Sequence, residues 1–176
     1  MDKYTLIIFV ILFLMLFCNK KVRLSSVIKK QLFVFRNDRT NKISIWDICC
    51  FIVFPIIISF ISVFQLDFII KTSLAELLTN VFSIIFTVVF GFSTIMIDKL
   101  YCKITIDRQI ATEAFASLIF TNILSLIAAI LSICLTQIES TECVKMLSFV
   151  VLTISLIIIM LVMMVTKRTF ALYSGD

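Results

Sequence analysis

The chain has 176 residues, of which 61% are hydrophobic and 15% are charged, with a formal net charge of +5 and a mean hydropathy of +1.16. A soluble domain of this length needs a polar exterior that this composition cannot supply, so the soluble globular class is excluded. Two glycines and one proline leave no flexible linker between independent domains. The composition predicts an all-α integral membrane protein that folds as one membrane domain.

Five apolar segments follow one another along the chain, each bounded by charged residues. They are Tyr4 to Cys18, Ile43 to Gln65, Leu77 to Ile97, Ala114 to Thr136 and Met146 to Thr166. A hydrocarbon core takes roughly 20 helical residues, so the last four are long enough to cross it, and the first depends on interface anchors around it. We predict about five transmembrane helices. The expected divisions are an amino-terminal anchor (1–18), a basic cytoplasmic segment (19–42) and a four-helix transmembrane region with a cytoplasmic tail (43–176).

The distribution of positive charge predicts the orientation of the chain. With the amino terminus outside, thirteen of the sixteen Lys and Arg residues fall on the cytoplasmic side, and only Lys3, Lys71 and Lys145 lie outside. Because Lys and Arg collect in cytoplasmic loops, this pattern favours an amino terminus outside and a carboxyl terminus inside. The basic segment 19–42, which holds eight of the cations, is first of all a determinant of this topology.

A polar stripe is the strongest pattern in the apolar part of the chain. Its members recur at spacings of three and four residues, which places them on one helical face. They are Glu76, Asn80, Ser83, Thr87, Gly91, Thr94 and Asp98. One interpretation is a pore lining, with hydroxyl and amide groups for a hydrated ion and a carboxylate at each end to attract cations. The alternative is a helix contact, in which small residues allow close approach and hydroxyls bond their own helix carbonyls.

The next apolar segment carries a second, less polar stripe, called here the small-residue stripe. It consists of Ala114, Ser117, Thr121, Ser125, Ala128, Ser132 and Thr136. We predict that it packs closely against the preceding helix or against that helix in another subunit, with Asn122 beside it as an interhelical hydrogen-bonding group. The last segment is bulky nearly all round and is expected to face lipid. Pro55, near the middle of the second segment, is expected to bend its helix, and Trp46 to lie at the inner interface.

The basic segment contains a predicted amphipathic helix from Leu24 to Phe35. Its cations and aromatic residues form a candidate binding surface for lipid or another ligand. These residues are Lys20, Lys21, Arg23, Lys29, Lys30, Phe33, Phe35, Arg36 and Arg39. One interpretation is an interfacial helix that contacts anionic lipid. The other is a site for single-stranded nucleic acid, since cations neutralise phosphates and aromatic rings stack on bases.

The chemistry of a catalytic or metal centre is not found in the sequence. The chain has no histidine, no CxxC pair, no glycine-rich phosphate loop and no GxSxG motif. Intramembrane hydrolysis by paired aspartates would need these carboxylates deep in the membrane. Asp47, Asp67 and Asp98 instead fall at the predicted ends of spans. We therefore expect no enzyme activity, no metal and no cofactor.

The runs "FVFRNDRTNKISIWDICCFIVFPIIIS", "LAELLTNVFSIIFTVVFGFSTIMI" and "MMVTKRTFALY" resemble small multi-pass membrane effectors of bacterial antiphage defence. The nearest resemblance is to the Hailong-type ion-channel effector, and the membrane subunit of Kiwa systems is the alternative. The first resemblance implies a homo-oligomeric channel in the bacterial inner membrane, gated by a single-stranded DNA oligomer that a partner enzyme encoded nearby produces.

Two functions are carried forward. The first is an oligomeric channel or pore-forming effector that is gated by a cytoplasmic anionic ligand such as an oligonucleotide. The second is a non-conducting membrane scaffold that recruits a soluble partner protein through its basic segment.

Overall fold

The computed structural model describes residues 24–34, 45–100, 105–138 and 140–174, and every regular element in these ranges is a helix. The predicted anchor, 1–18, lies outside them. The shortest unit is α1 (Leu24–Val34). A span with two π-helical segments follows, called here the kinked span for this change of hydrogen-bond register. It is formed by α2 (Ile45–Ile48), a π-helix (Cys49–Val53), α3 (Phe54–Phe60) and a second π-helix (Ile61–Gln65). The three long helices are α4 (Thr72–Leu100), α5 (Thr105–Gln137) and α6 (Thr141–Ser174).

Four helices in the described part of the chain are long and apolar enough to cross a membrane. They cover Trp46–Gln65, Thr72–Ile97, Ala111–Gln137 and Thr141–Phe170. A helix satisfies all its backbone hydrogen bonds within one segment, which is what hydrocarbon surroundings require. The prediction of a multi-pass α-helical membrane protein is confirmed for these four segments.

The helices form a series of neighbours rather than a closed ring. The kinked span packs against α6, α6 against α5, and α5 against α4, while α1 also packs against α5. Of the apolar window of α5, 44% is buried, compared with 17% for α4 and 17% for the kinked span. Thus α5 is the central helix, and α4 and the kinked span are the edges.

Two apolar clusters hold the long helices together. The larger cluster contains Ala75 and Phe82 from α4, Ala128 from α5, and Val151 and Ile158 from α6. The smaller consists of Val89, Met96, Leu118 and Val165. The last segment, which was expected to face lipid, buries one side of α6 in these clusters, while Ile159 and Met163 on its other side are exposed.

The kinked span departs from α-helical geometry on both sides of α3. Pro55 has no backbone N–H to donate and lies buried at the start of α3. Just before it, the N–H of Phe54 donates to the carbonyl of Cys49, five residues back, as in a π-helix. The disturbance predicted at Pro55 is therefore present as a change of hydrogen-bond register. Trp46, at the start of the span, is 76% exposed.

One end of the bundle, called here the Asp67 end, holds the loop between the kinked span and α4. Asp67 has a φ of 49°, in the left-handed region that Asp tolerates better than most residues. Its carboxylate accepts a hydrogen bond from the Lys145 ammonium at 2.7 Å. Three residues later, the N–H of Ile70 donates to Ser148 Oγ at 3.2 Å in a buried bond. These contacts fix the loop to the first turns of α6.

The opposite end, called the Arg168 end, joins three helices. The Arg168 guanidinium forms an ion pair with Glu113 of α5 at 3.1 Å and donates to the carbonyl of Val34 in α1 at 3.4 Å. In each of these two ion pairs the carboxylate and the cation lie at the same end of the bundle. This agrees with spans that run in alternating directions along the chain.

Candidate functional site

The polar stripe lies on the face of α4 that points away from the bundle. The buried residues of this helix are Ala75, Phe82, Val89 and Met96, spaced by seven. The stripe residues Glu76, Asn80, Ser83, Thr87, Gly91 and Thr94 are all exposed. Asp98 belongs to α4, but its side chain lies outside the described part of the structure. The six described members therefore lie away from the side of α4 that packs in the described bundle.

The stripe hydroxyls are bonded within α4. Ser83 Oγ donates to the carbonyl of Thr79 at 2.8 Å, Thr87 Oγ1 to that of Ser83 at 2.9 Å, and Thr94 Oγ1 to that of Gly91 at 2.6 Å. Each hydroxyl oxygen still carries lone pairs that can accept from water. The helix can therefore keep these side chains in an apolar environment and offer acceptors along a polar path.

Gly91 has no packing role within the single chain. A Cβ placed on this residue would meet no atom within 4 Å, so no neighbour requires a glycine here. Glycine inside a helix costs about 1 kcal/mol relative to alanine. This local cost is not offset by any contact within the described part of the chain.

The small-residue stripe of α5 has the opposite environment. Ala114, Ser117, Ser125, Ala128 and Ser132 are 0% exposed, and Thr121 is 1% exposed. Thr136, at the end of the stripe, is partly buried. The prediction of a close-packing face is confirmed, and the face is covered by helices of the same chain.

Asn122, predicted to bond across helices, does not do so through its side-chain oxygen. Asn122 Oδ1 is buried and accepts no hydrogen bond in the described structure. Its backbone carbonyl instead accepts from Ser125 Oγ at 2.9 Å. The sequence pattern correctly placed an amide beside the helix interface, but no described donor reaches the oxygen of that amide.

The basic helix α1 shows three different sides. Gln31 and Val34 are buried against the bundle, Ile28 and Leu32 are exposed apolar residues, and Lys29 and Lys30 are exposed cations. The apolar periodicity from Leu24 to Phe35 predicted the helix correctly. It did not predict that a glutamine would be at the centre of the buried side.

Most of the other residues of the candidate ligand surface lie outside the described residues. Phe33 belongs to α1, but its side chain lies outside the described part. Lys20, Lys21, Arg23, Phe35, Arg36 and Arg39 lie outside the described residues altogether. The structure thus brings Lys29 and Lys30 together on α1 and leaves the remainder of that surface as a prediction.

The connection between α1 and the bundle was not anticipated from the sequence. Arg168 contacts both Glu113 and the Val34 carbonyl, and Gln31, one turn before Val34, is 3% exposed with neither side-chain amide atom hydrogen-bonded. The sequence did place a carboxylate, Glu113, and a cation, Arg168, at helix ends on the same predicted side of the membrane. Pairing them requires knowing that α5 and α6 are neighbours.

The polar stripe and α1 are therefore the features from which a function can be inferred. No protein-family model, no curated protein and no solved structure matches the chain.

Proposed function

We propose that the protein is an oligomeric membrane channel lined by the polar stripe of α4 and gated through the basic segment that contains α1. The resemblance noted above extends this proposal to an effector of antiphage defence in the bacterial inner membrane, with the amino terminus outside. The gating ligand would be a cytoplasmic anion such as an oligonucleotide, made by a partner enzyme encoded nearby.

The observation that carries the proposal is the exposure of the stripe. A polar face that served only to pack α4 within the chain would be covered by a neighbouring helix, as the α5 stripe is. Here six polar or small residues face outward along a helix whose apolar window qualifies it to cross a membrane. Exposed polar groups at this depth are favoured next to water or next to another protein surface.

An aqueous path needs several copies of α4. One helix face cannot enclose a water-filled channel, so the stripes of symmetry-related subunits would have to surround a common axis. As an edge helix, α4 is free to take this position without disturbing the α5–α6 contacts. Glu76 near one end, and Asp98 near the other, would form carboxylate rings that favour cations.

The Arg168 contacts supply a physical connection between ligand and pore. A ligand on Lys29 and Lys30 would pull on α1, whose Val34 carbonyl is bonded to Arg168. Arg168 is paired with Glu113 of α5, and α5 packs along α4. Displacement of α1 would thus reach the pore-lining helix through three helix contacts, α1 with α6, α6 with α5, and α5 with α4.

The test is single-channel recording of the purified protein in planar bilayers, with wild type compared with Thr87→Phe. Val81→Phe is the matched control because Val81 is exposed on the same helix but lies off the stripe. We expect discrete currents for the wild type and the control, and their loss in Thr87→Phe without loss of the oligomer in size-exclusion chromatography. Equal currents in all three proteins would show that the stripe does not line the path.

A second recording tests gating. Single-stranded oligonucleotide is added to the side that carries α1, for the wild type and for a Lys29→Glu/Lys30→Glu variant. We expect the oligonucleotide to change the open fraction of the wild type only. An unchanged open fraction in the wild type would remove the ligand from the proposal and leave the pore.

The exposed Lys29 and Lys30 also favour the second candidate function, a non-conducting scaffold that recruits a soluble partner. In that case the double charge reversal releases a co-purifying protein from solubilised membranes, and Thr87→Phe changes neither recruitment nor membrane permeability.

A further inference from the structure

A cleft of about 360 Å³ opens between α4 and α6, with α5 as its floor. Its walls include Val88 and Phe92 from α4 and Val162 from α6, and Leu118 lies on the floor. Thr169 and Phe170 line it toward the Arg168 end. In the described structure the backbones of α4 and α6 do not come close to each other, which leaves room for the cleft between their side chains.

The position and lining of the cleft suit a hydrocarbon chain. It lies between helices that qualify to cross a membrane, and apolar side chains provide nearly all of its surface. A water-filled cavity with this lining would leave its waters without hydrogen-bond partners. The volume is within the usual range for small-ligand pockets, about 300 to 1,000 Å³.

One hydroxyl in the cleft has no partner. Thr166 Oγ1 donates to the Val162 carbonyl at 2.9 Å, as expected for a threonine on a helix. Thr169 Oγ1, less than one turn further on, is buried and makes no hydrogen bond to the described residues. A buried hydroxyl without a partner is costly, and an ester or phosphate oxygen of a bound molecule would accept its hydrogen.

The surface around this end of the cleft is positive. Among the described side chains at the Arg168 end, four cations, Lys29, Lys30, Lys167 and Arg168, accompany two carboxylates, Asp47 and Glu113. Lys167 is exposed and lies on the same turn of α6 as Thr169 and Phe170. A ligand with an apolar chain and a negatively charged head would match both parts of the site.

We propose that this cleft is a binding site for an anionic phospholipid. One acyl chain lies between α4 and α6, an oxygen of the glycerol or phosphate region accepts from Thr169 Oγ1, and Lys167 attracts the headgroup. The site is separate from the polar stripe and does not depend on ion conduction.

The experiment is native mass spectrometry of the full chain released from nanodiscs that contain equal amounts of phosphatidylglycerol and phosphatidylcholine. For the wild type we expect retained lipid enriched in phosphatidylglycerol. Val88→Trp fills the cleft and should remove the retained lipid. Val81→Trp is the matched control, because it makes the same substitution on the same face of α4, two turns away and outside the lining.

Two further variants separate the site from a general effect on folding. Thr169→Val keeps the shape of the side chain and removes only a hydroxyl that has no partner among the described residues, so it should lower lipid retention without lowering the thermal stability of delipidated protein. Lys167→Gln should lower the preference for phosphatidylglycerol about fivefold and leave phosphatidylcholine retention unchanged.

The proposal is overturned if Val88→Trp and Val81→Trp retain lipid equally, or if Thr169→Val binds as the wild type does. It is also overturned if the wild type retains the two lipids in equal amounts, since an apolar cleft without headgroup recognition would then suffice.

Discussion

Two neighbouring helices carry almost the same pattern of small and hydroxyl residues, yet the patterns have opposite environments. On α5 the pattern is buried between α4 and α6, while on α4 it faces outward. The spacing is alike, and so are the hydrogen bonds that hydroxyls make to their own helices, such as those of Thr121 and Thr87. The α4 stripe is the more polar of the two, because it also carries Glu76 and Asn80. The difference in burial therefore follows the polarity of each stripe as well as the helices that surround it.

The comparison shows what a small-residue stripe means in a membrane protein. Such a stripe permits close approach of another surface but does not specify that surface. For α5 the surfaces are helices of the same chain. For α4 no helix of the described part of the chain covers the stripe, and a water path between subunits is the proposal made above.

The largest expected effect comes from placing leucine in each stripe. Ser125→Leu on α5 should lower the free energy of unfolding by about 1 to 3 kcal/mol, because a 0% exposed site has no room for a larger side chain. Ser83→Leu on α4, an exposed site, should change it by less than about 0.5 kcal/mol. The measurement is reversible unfolding of monomeric protein in mixed micelles. Equal destabilisation by the two substitutions would mean that the α4 stripe is buried in the monomer.

Cysteine labelling compares the two stripes through Ser83→Cys on α4 and Ser125→Cys on α5. The labelling rate of Ser125→Cys should be lower by about tenfold or more, because this buried site can react only after local opening. Both variants are made in a background with all six native cysteines replaced, and are treated with a charged maleimide in membranes. We expect Ser83→Cys to react quickly. If Ser83→Cys reacts only with a membrane-soluble maleimide, the stripe faces lipid and the pore proposal fails.

A smaller effect is expected at Gly91. Gly91→Ala should raise the free energy of unfolding of the monomer by about 0.5 to 1 kcal/mol, since alanine is the better helix former and its Cβ meets no atom. Ala128→Gly on α5 is the opposite change and should be destabilising. A loss of stability in Gly91→Ala would reveal a close neighbour at this position.

The smallest effect is expected for Thr87→Val. It removes one hydroxyl that bonds within its own helix, so the stability of the monomer should change by less than about 0.5 kcal/mol. The unitary conductance should nevertheless fall if this hydroxyl meets hydrated ions. An unchanged conductance with normal gating would place Thr87 away from the narrow part of the path.

The spans and the amphipathic helix were predictable from sequence because they depend on local patterns. Apolar length gave the four described spans, and the spacing from Leu24 to Phe35 gave α1. Burial of the α5 stripe was also expected from its small side chains. These properties are encoded within single segments, so no knowledge of neighbouring helices is needed.

The contacts between helices were not predictable in the same way. The Arg168 pair with Glu113, the Ile70 bond to Ser148 and the cleft beside Val88 each depend on which helices are neighbours. Apolar periodicity does not specify a partner, because lipid and protein interiors are similarly apolar. Gln31 shows the limit clearly, since a pattern based on hydrophobicity assigns a glutamine to the outside of α1.

The contact between the kinked span and α6 has a consequence for biosynthesis. The kinked span is made before α4 and α5, but its helix neighbour in the described structure is α6, which is made after them. When the ribosome has completed α5, the described helix that packs against the kinked span is still missing, and this packing must wait until Phe149, which contacts Phe60 and Phe64, has entered the membrane. A product truncated before α6 would keep the α4–α5 contact but leave the kinked span without its described helix neighbour, so we expect it to be degraded rather than to accumulate as a smaller bundle.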